Sequence, residues 1–315
     1  MRGALTGVWL ATITAFGICV AAAAPAIVPH VEGNQAGYRI KLERFVVPPN
    51  RIAGMLVRAR INGGPPLRLL VDSGSQYVVV DRAAALHSHC AGGTDLNLVG
   101  VGGAAAAQVK HQIADTLELG DLTLRSVPLL VANRTLSDGV QGVLPLSIFS
   151  EFLIRLDFPA KELSLLPYHT GEGHNPTAIR ALSSNQLLFV NATVNEVYDG
   201  RFLLDTGSAF SAISRDLANQ LHISDSLADR VPLRGGIADM NAPLLSGLVR
   251  LRLASRPPVT GPVVAVDLSA ASRYHGLEIS GLIGYSALCD SVLTVSYRDN
   301  VIGIGPKLRG PVTRN

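Results

Sequence analysis

Two aspartates, Asp72 and Asp205, stand in near-identical surroundings, LLVDSGS and FLLDTGS, 133 positions apart. Each ends an apolar run and is followed by a hydroxyl side chain, a glycine and a serine. Two such carboxyl groups in contact cannot both ionise, so the pair shares one proton. One member is then a base and the other an acid, and a water between them can lose its proton as it attacks an electrophilic carbon. The pair titrates as a unit, and the sequence does not say which member bears the proton. This chemistry requires no metal, cofactor or covalent intermediate.

The elements that must position the two aspartates are themselves repeated. Shifted by 133 positions, residues 55–85 align without a gap on residues 188–218, and ten of the 31 pairs are identical, including Asn62 with Asn195 and Arg68 with Arg201. Residues 56–61 alternate apolar with basic, Asn62-Gly63-Gly64 is turn chemistry, and residues 67–71 are apolar. This predicts two strands joined by a turn, with each aspartate where a buried strand ends. Further strands are expected at 77–80 and 210–213, and short helices at 82–86 and 215–221. The copies match again at Gly142-Val143-Leu144-Pro145 and Gly281-Leu282-Ile283-Gly284, then at 155–167 and 294–306, each read as strand, polar turn, strand. The expectation is two closed, mostly-β units over 38–168 and 181–308, joined by a polar linker at 169–180 containing Gly171, Gly173 and Pro176.

Composition agrees with a folded chain of this size. Of 315 residues, 48% are hydrophobic and 16% charged, enough to bury a large core. A balance of +3 without a dense basic run leaves no electrostatic footprint for nucleic acid. Met1 and Arg2, an apolar run over residues 8–24 and the alanines up to Ala26 read as a signal peptide covering residues 1–26. The alternative is a retained membrane anchor, for which the run is short. Cys19 does not mark a lipoprotein, because Ile18 stands where a small residue is expected. Cys90 and Cys289 are read as separate buried thiols rather than a bridge. His87, His89 and Cys90 are too few to hold a metal and are read as surface. Asp157, Asp267 and Glu278 offer no fixed separation for a glycosidase pair, and no G-x-S-x-G context supports a serine hydrolase.

The doubled D-[ST]-G-S turn, with its distal partners VQGVL and ISGLI, resembles the retropepsin-like and pepsin-like aspartic peptidases across nearly the whole chain after residue 26. The resemblance implies an all-β, two-lobed fold with pseudo-twofold symmetry, and a catalytic dyad of Asp72 and Asp205. It implies that Ser73 and Thr206 bond across to the opposite loop, that Gly74 and Gly207 permit close approach, and that Ser75 and Ser208 donate to the outer carboxylate oxygens. Those last donors would lower the pair's pKa values and give a mildly acidic optimum. Gly142 and Gly281 belong to segments beneath each loop. Ser73 in place of the more usual Thr, and Pro145 opposite Gly284, depart from the pattern. Glycine-rich flaps are expected at Val99, Gly100, Val101, Gly102 and Gly103, and at Gly235, Gly236 and Ile237. The implied partner is an extended polypeptide, cut by a monomeric, periplasmic or secreted enzyme with no stable membrane insertion after cleavage of its signal. The rival expectation is a peptide-binding module of the same fold without turnover.

Overall fold

The computed structural model describes residues 30–32, 37–48, 50–90, 92–98, 107–136, 139–168, 178–223, 229–234, 239–245, 247–254, 258–259 and 261–306. The expected signal peptide and residues 169–177 of the expected linker lie outside the described residues.

In the first half, Arg51–Ile61 runs antiparallel to both Tyr38–Val47 and Leu67–Asp72. Burial alternates along Tyr38–Val47, so one face of this strand meets the core. The turn after Arg51–Ile61 is made by Asn62 in a left-handed conformation (φ 49), which Asn tolerates better than most residues. Its side chain accepts from the Thr116 N–H (3.1 Å) and donates to the Ser88 carbonyl (3.3 Å). Asn195 repeats the device at φ 50, accepting from the Arg250 N–H (2.8 Å) and donating to the Leu248 carbonyl (3.0 Å). The identity of these two asparagines thus has a structural cause.

Gly142–Pro145 lies parallel to Leu67–Asp72 and antiparallel to Val78–Asp81, threaded between the strands before and after Asp72. Gly281–Ile283 is threaded in the same way between Tyr198–Leu204 and Ser211–Ser214. A Cβ at Gly142 would overlap the Val79 carbonyl, and one at Gly281 the Ala212 carbonyl, so neither strand admits a side chain there. The expected helices occupy Arg82–His87 and Arg215–Gln220. Each begins at a side-chain cap: Asp81 accepts from the Ala84 N–H (2.7 Å) and Ser214 from the Leu217 N–H (3.0 Å). A third helix, Ser269–His275, was not foreseen; it closes on Gly276 in the left-handed region.

The halves differ in how their sheets return. In the first, the long antiparallel pair Ala107–Leu119 and Leu122–Ala132 comes back to Arg51–Ile61 through Arg60↔Glu118 and Ile61↔Leu117, completing a ring of paired strands. In the second, among the described residues, Leu251–Leu253 adds three residues to Leu187–Val194, and the isolated bridges Leu251↔Val259 and Leu244↔Val264 continue the path. The expected closure is thus seen in the first half, while residues 246, 255–257 and 260 of the second lie outside the described residues.

The strands read as the end of each unit instead join the units. Phe152–Asp157 pairs antiparallel with Ser291–Ser296, placing Arg155 opposite Thr294. These two residues are counterparts in the repeat, so the pseudo-twofold axis passes between them. Glu162–Pro167 and Tyr38–Val47 extend this shared sheet on one side, Val301–Pro306 and Ile179–Arg180 on the other. One continuous core contains residues of both halves, among them Leu156, Phe158, Tyr285 and Leu293.

Candidate active site

The buried strands Leu67–Asp72 and Tyr198–Leu204 deliver Asp72 and Asp205 to a common point. Both side chains are fully buried. The Gly74 N–H donates to Asp72 Oδ1 (2.7 Å), and the Ser208 N–H to Asp205 Oδ1 (2.9 Å). The two loops meet across the pseudo-axis. A Cβ at Gly74 would lie 2.7 Å from Asp205 Cγ, and one at Gly207 would overlap the Asp72 carboxyl. Glycine at each position is thus the condition for the opposite carboxyl to approach.

Four hydrogen bonds lock the loops reciprocally. Thr206 Oγ1 accepts from the Ser73 N–H (3.0 Å) and donates to the Val71 carbonyl (3.0 Å). Ser73 Oγ accepts from the Thr206 N–H (3.0 Å) and donates to the Leu204 carbonyl (2.8 Å). Ser73 forms the same two bonds as the bulkier Thr206, so the missing methyl leaves the lock intact.

Ser75 and Ser208 do not act as expected. Their hydroxyls donate to the carbonyls of Tyr77 (3.0 Å) and Phe210 (2.8 Å), two residues onward, and stabilise the exit of each loop. The carboxylates are held instead by backbone N–H groups. The stated reason for a mildly acidic optimum therefore falls.

Burial dominates the electrostatics. It pushes Asp72 well above the usual carboxylate range, and the charge of Asp205 adds to the effect. Burial likewise raises Asp205, to about 7, against the opposing pull of its bond with Asp72 and the N–H groups of Ser208 and Gly207. Each carboxyl lies against the glycine of the opposite loop, and the charge of Asp205 and the Gly207 N–H both act on Asp72. Tyr297, the counterpart of Phe158 in the repeat, places a buried hydroxyl without a partner in the vicinity. Its pKa is raised by burial and by the charge of Asp72. The sequence reading missed this residue; the Phe-to-Tyr change between aligned copies was the available signal.

The expected flap residues Val99, Gly100, Val101, Gly102, Gly103, Gly235, Gly236 and Ile237 lie outside the described residues. Their flanking arms are described. Thr94–Leu98 pairs antiparallel with Ala107–Leu119, ending at Leu98↔Ala107, and Arg230–Arg234 with Asp239–Pro243, ending at Arg234↔Asp239. Val231, Leu233 and Ala242 of the second hairpin share an apolar cluster with Phe210, just beyond the Asp205 loop.

The other residues singled out from sequence are elsewhere. Cys90 is buried, its Sγ accepting from Asn62 Nδ2 (3.3 Å), and Cys289 is half-buried; both are free thiols. Asp157 is engaged by Arg155 and the Ala160 N–H, Asp267 by the Ser269 N–H, and Glu278 by the Tyr198 hydroxyl.

The sequence and fold were compared with known proteins. A family model for aspartyl protease matches residues 57–148 and again 190–287, one tandem match around each aspartate. No curated protein matches the sequence. The solved aspartic proteinase from Irpex lacteus superposes with a TM-score of 0.55 over 89% of this chain and 100% of that one, at 13% identity. That likeness carries the fold, which is the two-lobed, mostly-β fold of pepsin-like proteinases. With both matches spanning more than half its length, this chain belongs to the aspartyl protease family.

Proposed function

We propose that the protein is an aspartic endopeptidase that hydrolyses extended polypeptides through a water activated by Asp72 and Asp205. The observation carrying this reading is a pair of fully buried carboxyls, each against the glycine of the opposite loop, the charge of Asp205 raising the pKa of Asp72. One carboxyl of the pair keeps the shared proton and the other is the base. The water oxygen bonds to the peptide carbonyl carbon as its proton passes to the ionised carboxylate, while the protonated carboxyl donates to the carbonyl oxygen. Collapse of the resulting gem-diol breaks the C–N bond as the carboxyl that took the water's proton passes it to the departing nitrogen and the other carboxylate recovers a proton from a gem-diol hydroxyl. Thr94–Leu98 ends one path of the sheet, so it offers an edge to which an extended peptide can add as a strand. One chain supplies both aspartates, so a monomer suffices. Residues 1–26 direct export to the periplasm or outside the cell.

The test is incubation of the purified protein with a diverse peptide mixture beside Asp72→Asn and Asp205→Asn. Cleavage abolished by either change and by a statine-type inhibitor supports the peptidase. Binding of peptide or inhibitor without cleavage by the unmodified protein identifies a silent binding module instead.

A further inference from the structure

Beyond the dyad loops and the shared sheet, side-chain contacts also join the halves. Gln76 Nε2 donates to the Asn185 carbonyl (3.0 Å), and the Arg51 guanidinium lies 4.7 Å from the centre of the Phe210 ring. A third contact is between full charges: Arg134 Nη2 donates to the Asp239 carboxylate at 2.7 Å.

The location of this ion pair gives it a use. Arg134 follows the strand Leu122–Ala132, and Ala132 and Leu136 on either side belong to an apolar cluster that includes Ala209 of the other half. Asp239 opens the second arm of the hairpin whose apolar residues pack with Phe210. Both partners are therefore carried by segments resting on Ala209 and Phe210, the residues that follow the Asp205 loop. The Arg134 side chain is 29% exposed and that of Asp239 55%, so the pair is reachable by water and salt.

The arrangement is one-sided. Leu122–Ala132 pairs in parallel with Val78–Asp81 as Val263–Val266 does with Ser211–Ser214, which makes Leu268 the counterpart of Arg134. Leu268 is buried and uncharged. It offers no matching bond to the Thr94–Leu119 hairpin of the first half.

The structure assigns Arg134 and Asp239 the role of a tether between the two halves. The pair holds the paired strands Arg230–Arg234 and Asp239–Pro243 against the first half and parts when a polypeptide enters between the halves. Arg134 and Asp239 thereby set how readily these strands part from the first half, and Leu268 gives the strands Thr94–Leu98 and Ala107–Leu119 no such restraint. Admission of a polypeptide rests on the peptidase reading; the tether itself does not.

Hydrogen exchange of backbone amides, measured without substrate on the whole protein, tests the tether directly. In Arg134→Gln and Asp239→Asn, amides of Arg230–Arg234 and Asp239–Pro243 exchange faster at low salt, by up to about fivefold for a partly exposed pair. The unmodified protein approaches the same rate in about 1 M salt, where screening reaches a few ångströms. The double exchange Arg134→Asp with Asp239→Arg restores slow exchange, and amides of Ala107–Leu119 stay unchanged throughout. Equal exchange in the variants and the unmodified protein at low salt overturns the tether, as does failure of the charge swap to restore it. The association rate of a statine-type inhibitor rises in the single variants and returns in the swap. If exchange behaves as stated but no peptide is ever cleaved, the peptidase reading fails and the tether stands.

Discussion

The two halves agree where they hold a carboxyl and part company one residue away. Asp72 and Asp205 each take a backbone N–H from their own loop, each face a glycine of the other, and each are flanked by a hydroxyl locked across the axis. Beside them, Gly284 donates its N–H to Ser211 Oγ (3.1 Å), whereas the corresponding positions of the first half hold Pro145 and Val78. Proline has no N–H to satisfy, and valine has no acceptor to offer, so the two departures cancel. The change cannot run the other way, because a Cβ at Gly284 would overlap the Phe210 carbonyl. The comparison teaches that symmetry is required of the atoms around the carboxyls, while elsewhere each half needs only to satisfy its own backbone.

The largest expected effects test that required symmetry. Gly74→Ala and Gly207→Ala each drive a methyl into the opposite carboxyl, and each should lower kcat at least about a hundredfold. A large loss from one and little from the other would break the equivalence of the halves.

Neutralising an aspartate should cost activity and gain stability. Each carboxyl binds its proton more tightly folded than unfolded, so the folded state loses stability as pH rises from about 4 through the raised values. Asp72→Asn or Asp205→Asn should therefore melt at higher temperature at pH 8, by roughly 1–4 kcal/mol of unfolding free energy. The advantage should vanish near pH 4. For the unmodified protein, activity should fall as pH drops below about 7, where the pair takes up its second proton and loses its base.

Smaller effects sharpen the comparison of the locks. Ser73→Ala and Thr206→Ala each delete two buried bonds and should cost about 1–3 kcal/mol apiece in denaturant unfolding. Ser211→Ala leaves the Gly284 N–H without its acceptor and should cost about 1–2 kcal/mol. Val78→Ala in the first half orphans no polar group and should show only its packing loss.

The dyad loops were legible because a short motif recurs in a gapless repeat, and because Gly74, Gly207, Gly142 and Gly281 are each forced by a close approach. Asn62 and Asn195 were visible as identities, though not as staples to Thr116 and Arg250. The shared sheet was hidden because Arg155 and Thr294 are partners across 139 residues, and strand pairing at that range leaves no local pattern. The hydroxyls of Ser75 and Ser208 were assigned to the carboxylates, but a serine two residues from a free carbonyl bonds locally. The Arg134–Asp239 pair had no signal in sequence, since its meaning depends on the position of Leu268.

The account rests on one proton divided between two buried carboxyls. Its most direct measurement is a pH titration of the two aspartate carboxyl groups by carbon-13 NMR in the protein free of substrate. The predicted result is a pair of linked steps, at least one of them well above the ordinary carboxylate range, with the linkage lost when either residue is replaced by Asn. Two independent titrations near pH 4, unaffected by replacement of the partner, would contradict it.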